Sequence, residues 1–140
     1  FQPQGRRTSI AGALEYLGRV LHRRSVVFVI SDFLDRGYAA ALQHLSRRHD
    51  LIAVSLSDPR EWRLPDVGFI NLQDAETGEQ VLVDSGHQGV REFYAAEQEA
   101  AVERRGVLFR KTGVDEIAID ATKPYVDPLI HFFRARMRWH

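Results

Sequence analysis

Residues 25–35 read SVVFVISDFLD, and the interpretation of this stretch decides the fold class. Val26 to Ile30 is an unbroken run of β-branched and aromatic side chains, closed on either side by a serine. Such a run reads as a strand buried on both faces, which is the pattern of a parallel sheet covered by helices. Upstream, Ile10, Ala13, Leu14, Leu17, Val20 and Leu21 recur at the spacing of one helix face, with Thr8 or Ser9 available as the cap. Downstream, Gly37 precedes a second helical pattern in Tyr38, Ala41, Leu42 and Leu45, and Leu51 to Leu56 forms a second short apolar run. Ser25 to Leu56 is thus strand, helix, strand, the length of a parallel crossover unit.

The remainder extends this plan. Ser57 to Asp66 carries two prolines and several charges and reads as an irregular surface loop. Val67 to Leu72 and Gln80 to Val83 are strand-like and flank a polar, glycine-containing connection, which predicts an antiparallel hairpin. From about Gln88 a long helix runs to Gly113, a residue suited to the left-handed cap, with Gly106 as an earlier possible end. Val114 to Ile119 is a third sheet strand, and Pro128 to Trp139 a closing helix. Strands alternating with helices predict an α/β three-layer sandwich, one domain over residues 1–140. Its sheet is mostly parallel and Rossmann-like, with strands near 26–30, 51–56 and 114–119 and a β-hairpin insertion.

Composition narrows the function classes. The 140 residues include no cysteine, which removes thiol nucleophiles, iron–sulfur ligation and disulfides together. Nineteen basic and nineteen acidic side chains cancel, so no global field draws in a nucleic-acid backbone or an anionic membrane. Arg134, Arg136 and Arg138 beside Trp139 form a basic strip on the last helix that reads as a solvated face. Six histidines show no zinc-type spacing, and neither a phosphate-binding glycine loop nor a nucleophile elbow is present. The chain opens on Phe1 without a charged-then-apolar leader, so it is expected to be an excerpt of a longer protein, lacking the N-terminal strands of its sheet.

Open parallel sheets bind ligands outside the carboxyl ends of their strands, which directs attention to Asp32 and, three residues on, Asp35. A carboxylate at a strand tip can hold a hard cation or cap the turn that follows it. Thr8 starts the helix that feeds this strand, so its hydroxyl belongs at the same edge. Trp62, in the charged loop, could serve as a partner anchor or as a cover for the sheet edge.

A loop threonine, a helix of about four turns, an apolar strand and an aspartate at its tip resemble the second half of a von Willebrand factor A-type domain. More narrowly, TSIAGALEYLGRVLHRRSVVFVISDFLD (8–35), RRHDLIAVSLSDPRE (47–61), LPDVGFINLQDAETGEQVLVD (64–84) and PYVDPLIHFFRARMR (124–138) resemble the C-terminal half of the bacterial family known as domain of unknown function 58. That resemblance implies a von Willebrand A-like fold and a gene neighbourhood shared with MoxR-type AAA+ ATPases. It also implies a metal-ion-dependent adhesion site to which Thr8 contributes a hydroxyl and Asp32 a carboxylate. The family usually places two glycines before the threonine, where this chain has Arg6 and Arg7, and the Asp-x-Ser-x-Ser motif of the first strand does not occur in these residues. The expectation is therefore a partial site: Mg²⁺ or another divalent cation in the full-length protein, and no tight binding by these residues alone.

The functional expectation is a non-enzymatic interaction module, metal-dependent in the full-length protein, that engages a protein partner, a MoxR-type AAA+ ATPase by resemblance. The alternative is a Mg²⁺-dependent phosphoryl-transfer or hydrolytic enzyme using Asp32 and Asp35. The expected compartment is the cytoplasm, with any membrane tether supplied upstream. A von Willebrand A sheet places its first strand beside the one formed here by Val26 to Ile30. Absence of that strand leaves an open apolar edge, predicting a homodimer through residues 26–30 or a local cover by Phe1 to Arg7.

Overall fold

The run centred on Phe28 forms β1 (Val26–Ser31). The computed structural model describes residues 9–73 and 78–138. Before β1, the Ser9 hydroxyl accepts the Gly12 amide at 3.0 Å and caps α1 (Ile10–Val20), so of the two candidate caps Ser9 fills the role. After it come α2 (Ala39–Ser46), β2 (Asp50–Ser57) and a single 3₁₀ turn (Pro59–Trp62). Then follow β3 (Phe69–Gln73), β4 (Gln80–Asp84), α3 (Gln88–Thr112), β5 (Asp115–Asp120) and α4 (Val126–Arg138).

β1, β2 and β5 form one parallel sheet in that order. The register sets Val26 beside Asp50 and Ser31 beside Ser55 in one pair, and Ile52 beside Asp115 and Ser57 beside Asp120 in the other. β3 and β4 make a separate antiparallel hairpin, with Phe69 opposite Asp84 and Gln73 opposite Gln80. Gly113 ends α3 in the left-handed conformation, φ 72°, its amide donating to the carbonyls of Phe109 and Arg110. Gly106 stays inside the helix, because an interior glycine costs only about 1 kcal/mol relative to alanine and 25 residues of hydrogen bonding outweigh it. Pro128 lies in the first turn of α4, where its missing amide has no helical partner to lose, so the helix starts two residues before it.

Alternation along the central strand divides the core in two. Leu51 and Ala53 face α1, α2 and α3, where they pack with Val27, Ile10, Leu14, Leu42, Leu45 and Phe109. Ile52 and Val54 face the other way, against Ile117, Ile119 and the α4 residues Leu129 and Phe132. Helices therefore cover both faces, but unequally. The expectation that Val26 to Ile30 is buried on both faces holds for one face only: Val27 is buried, whereas Val26, Phe28 and Ile30 are 57%, 46% and 65% exposed. The physical reason is position. β1 is an edge strand, and α4 sits over β2 and β5, reaching β1 through the tilted contact of Phe133 with Phe28 at 6.2 Å between ring centres.

Polar contacts lock the layers at the end where the sheet strands enter. Arg136 of α4 pairs with Asp50 at the start of β2 and lies 3.9 Å from Asp115 at the start of β5. His49 is buried, and its Nδ1 accepts the Ser25 amide at 3.1 Å, joining the entries of β1 and β2. Among the described residues no helix is long and apolar enough to cross a membrane.

Two outcomes follow from this packing. Ile52 has no exposed surface, and Ile52→Ala should cost about 2–5 kcal/mol, read as a lower urea midpoint at unchanged slope. Tyr38 is buried in the first core, and that burial raises its phenol above the ordinary value; Arg105 opposes the shift, while Asp35 and Glu116 add to it. A phenol whose folded value is raised contributes stability that is present below the ordinary tyrosine range, near pH 10, and is lost as pH rises through the folded value. Tyr38→Phe should accordingly flatten the decline of stability above about pH 10. The difference between the alkaline absorbance titrations of wild type and variant should place this tyrosine above the ordinary phenol value.

Candidate functional site

The carboxyl edge of the sheet is shaped by the four residues after β1. Ser31 Oγ accepts the Phe33 amide at 3.0 Å, and Asp32 Oδ1 accepts the Leu34 amide at 3.2 Å, so two successive side chains turn the chain back on itself. Between them Phe33 takes φ 55°, the left-handed region, which costs a non-glycine residue about 1–3 kcal/mol. Its ring holds it there: buried, it meets Phe109 edge-on at 5.3 Å and Tyr38 at 5.7 Å, with the Arg105 guanidinium 5.7 Å above it. Anchoring Phe33 inward leaves Asp32 and Leu34 exposed on either side.

Asp35 has a different task. Its Oδ2 accepts the Ile10 amide at 2.8 Å, tying the start of α1 to the carboxyl edge of β1. Thr8 lies outside the described residues, but Ile10, two residues along, is brought to the same edge as Asp32 and Asp35. The bland reading of a strand-end aspartate as a turn cap thus describes one oxygen of Asp32. One oxygen of Asp35 is engaged by a helix amide.

Beside this turn opens a cavity of about 620 Å³, lined by the 32–39 loop, the end of β2, Glu61 and Trp62 of the 3₁₀ turn, and the middle of α3 from Glu97 to Leu108. Its acidic lining is Asp32, Asp35, Asp58, Glu61 and Glu97, and its basic lining Arg36, Arg104 and Arg105. Asp58 is committed to Arg60, whose guanidinium donates to it at 2.7 Å and holds the carboxyl below its ordinary range. Asp120, at the tip of β5, accepts the Thr122 hydroxyl at 2.6 Å and the Thr122 amide at 2.8 Å, which lower its pKa likewise. Trp62 lines the cavity half-buried and presents an apolar wall to it.

One set of residues at this edge has no counterpart in the sequence reading. Arg105 reaches from α3 to Glu116 of β5 at 3.3 Å, and Glu116 accepts the buried Ser55 hydroxyl of β2 at 2.7 Å. This bridge braces the cavity floor from below, and Arg105 Nε is buried without a hydrogen-bond partner. The only sequence signal was a polar serine within the apolar run of β2, at the position where the sheet meets α3.

Metal binding can be tested against these donors. Among the described residues no group of three or more His, Asp or Glu side chains could hold an ion. Asp32 offers one carboxylate with one oxygen already bonded to an amide, which is a fraction of a coordination shell for a hard cation of six or more ligands.

Comparison with known proteins gives the family. Residues 1–104 match the family described as "Protein of unknown function DUF58". The chain is 31% identical over 141 residues to an uncharacterized protein of Mycobacterium avium, MAV169, covering 97% of this chain and 80% of that one. It is 32% identical over 139 residues to the uncharacterized proteins Mb1516 of Mycobacterium bovis and Rv1480 of Mycobacterium tuberculosis, covering 97% of this chain but 43% of each of theirs. The chain thus spans less than half the length of these longer relatives. No solved structure matches it. With a family match over most of its length and a relative aligned along nearly all of it, the chain belongs to the DUF58 family.

Proposed function

We propose that this domain is a non-enzymatic protein-interaction module of von Willebrand A type whose carboxyl edge is the contact surface, and that its partner is a MoxR-type AAA+ ATPase. The observation that carries the reading is the turn after β1. A buried Phe33 in a left-handed conformation, together with two side-chain-to-amide bonds, fixes Asp32 outward at the tip of the strand, beside a broad open cavity. Such spending of conformational energy is typical of a binding edge. Asp35 supports it by holding the start of α1, and with it the segment that follows Thr8, at that edge.

Within this reading Asp32 and Thr8 are two ligands of a divalent-cation site whose other donors come from the longer protein, and an acidic side chain of the partner completes the shell. Carboxylates and Mg²⁺ suit each other as hard ligand and hard cation. The enzymatic alternative requires a free carboxylate pair, and the commitment of Asp35 to the Ile10 amide weighs against it.

The test uses a full-length protein of this family and its neighbouring ATPase. Asp32→Ala should weaken their association by roughly tenfold or more, as truncation of a hot-spot contact does, while the unfolding midpoint stays within the range of an exposed substitution. Chelation of divalent cations should reproduce the loss in the wild type and add nothing in the variant. Unchanged affinity with a large loss of stability would reduce Asp32 to a turn cap, and Asp32-dependent phosphate release from a generic substrate would favour the enzyme.

A further inference from the structure

The far wall of the carboxyl-edge cavity belongs to the β2 and β5 side of the sheet. It is built from the 3₁₀ turn that follows β2 and from α3, which the Arg105–Glu116 pair braces to β5. A further strand outside β1 would leave this wall in place. The Tyr94 hydroxyl of α3 donates to the Glu61 carbonyl at 3.4 Å, tying the turn that carries Glu61 and Trp62 to the helix. On α3, Glu97, Ala101, Arg104 and Leu108 recur at one-turn spacing, so they share one helix face, and all four line the cavity. Glu61, Glu97 and Ala101 are exposed, and the small side chain of Ala101 leaves room on this face.

The cavity also holds a polar group without a partner. Tyr38 is 7% exposed, and its hydroxyl has no hydrogen-bond partner among the described residues. The buried side-chain atoms left unbonded are His49 Nε2 and Arg105 Nε, so the phenol oxygen reaches open space, and the cavity that Tyr38 lines is that space. The charges around it do not balance. Asp32 belongs to the proposed cation site, Asp58 is paired with Arg60, and Arg105 with Glu116. What remains in the lining is Asp35, Glu61 and Glu97 against Arg36 and Arg104, an excess of carboxylate.

We propose that this cavity receives a cationic side chain, arginine or lysine, of the protein partner, held by the Trp62 indole, the Glu61 and Glu97 carboxylates and the Tyr38 phenol oxygen. Each part of the lining suits a cation. An indole face attracts one through its ring quadrupole, a carboxylate pairs with it, and a phenol oxygen accepts from its N–H groups. A carboxylate entering here would meet the acidic excess, and an apolar side chain would cover the phenol oxygen without bonding it. Such an anchor rests on the carboxyl edge being the contact surface, and it gives that surface a second point of recognition with the opposite sign. The partner's acidic side chain meets the cation at Asp32, and its basic side chain enters the cavity. Two anchors of opposite charge fix the direction in which the partner lies across the edge.

The experiment measures the affinity of the same full-length protein for its neighbouring ATPase. Glu97→Lys and Trp62→Ala should each weaken association by roughly tenfold or more, and Arg104→Glu should strengthen it or leave it unchanged. Glu97 and Arg104 are both exposed, so reversing either charge should keep the unfolding midpoint near that of the wild type, and the sign of the response is then free of a folding defect. Weaker association with Arg104→Glu and none with Glu97→Lys would mean that an anion enters, and would overturn the proposal. Three neutral variants beside a weakened Asp32→Ala would remove the cavity anchor while the carboxyl edge stands as the contact surface. Loss of effect in all four, Asp32→Ala included, would remove both.

Discussion

Both cores depend on β2. A three-stranded sheet has one interior strand, and only that strand can lend apolar side chains to two layers at once. Leu51 and Ala53 serve the layer of α1, α2 and α3, and Ile52 and Val54 serve the layer of α4. Every other element has one packed face. Burial of an apolar side chain is worth about 1.5–3 kcal/mol, so the strand that buries four of them in a row sets the order of the rest. The ion pair from Arg136 to Asp50 and the His49 bond to Ser25 act at the entry of this same strand, where the layers would otherwise slide past one another.

That constraint explains what the sequence could and could not disclose. The order of strands and helices was legible because periods of 2 and 3.6 residues are local properties, and each of Leu14, Leu42 and Leu45 proved buried on the face its spacing indicated. The exposure of the second face of β1 was not. An apolar run reports that side chains avoid water, but it cannot distinguish a central strand from an edge strand whose second face awaits a cover. Val26, Phe28 and Ile30 are as apolar as Leu51, Ile52 and Val54, and only the sheet order separates them. The start of α4 moved, and α3 ran through to Gly113, for a related reason: glycine and proline punctuate a helix only where position makes them costly, and neither Gly106 nor Pro128 lies at such a position.

The site divides in the same way. Asp32 could be found from sequence because strand tips of parallel sheets are where ligands bind, a rule that needs only the strand to be located. The separate duty of Asp35 was hidden, since its partner, the Ile10 amide, is 25 residues away. The bridge from Arg105 through Glu116 to Ser55 was hidden more completely. Ser55 and Glu116 are 61 residues apart and meet only because β5 lies beside β2, so no local spacing encodes the contact.

Phe33 connects the two levels. A residue in the left-handed region persists only where its surroundings over-determine it, and here the ring sits among Phe109, Tyr38 and the Arg105 guanidinium. The core therefore fixes the turn, and the turn fixes the outward direction of Asp32. Glycine at this position would relieve the backbone but give up the ring contacts that anchor the loop to α3. The aromatic solution is the stiffer one. It makes the orientation of the edge a consequence of the first core, the same core that α1 joins through Ile10 and Leu14, so the two segments that reach the carboxyl edge are aligned by one set of packed side chains.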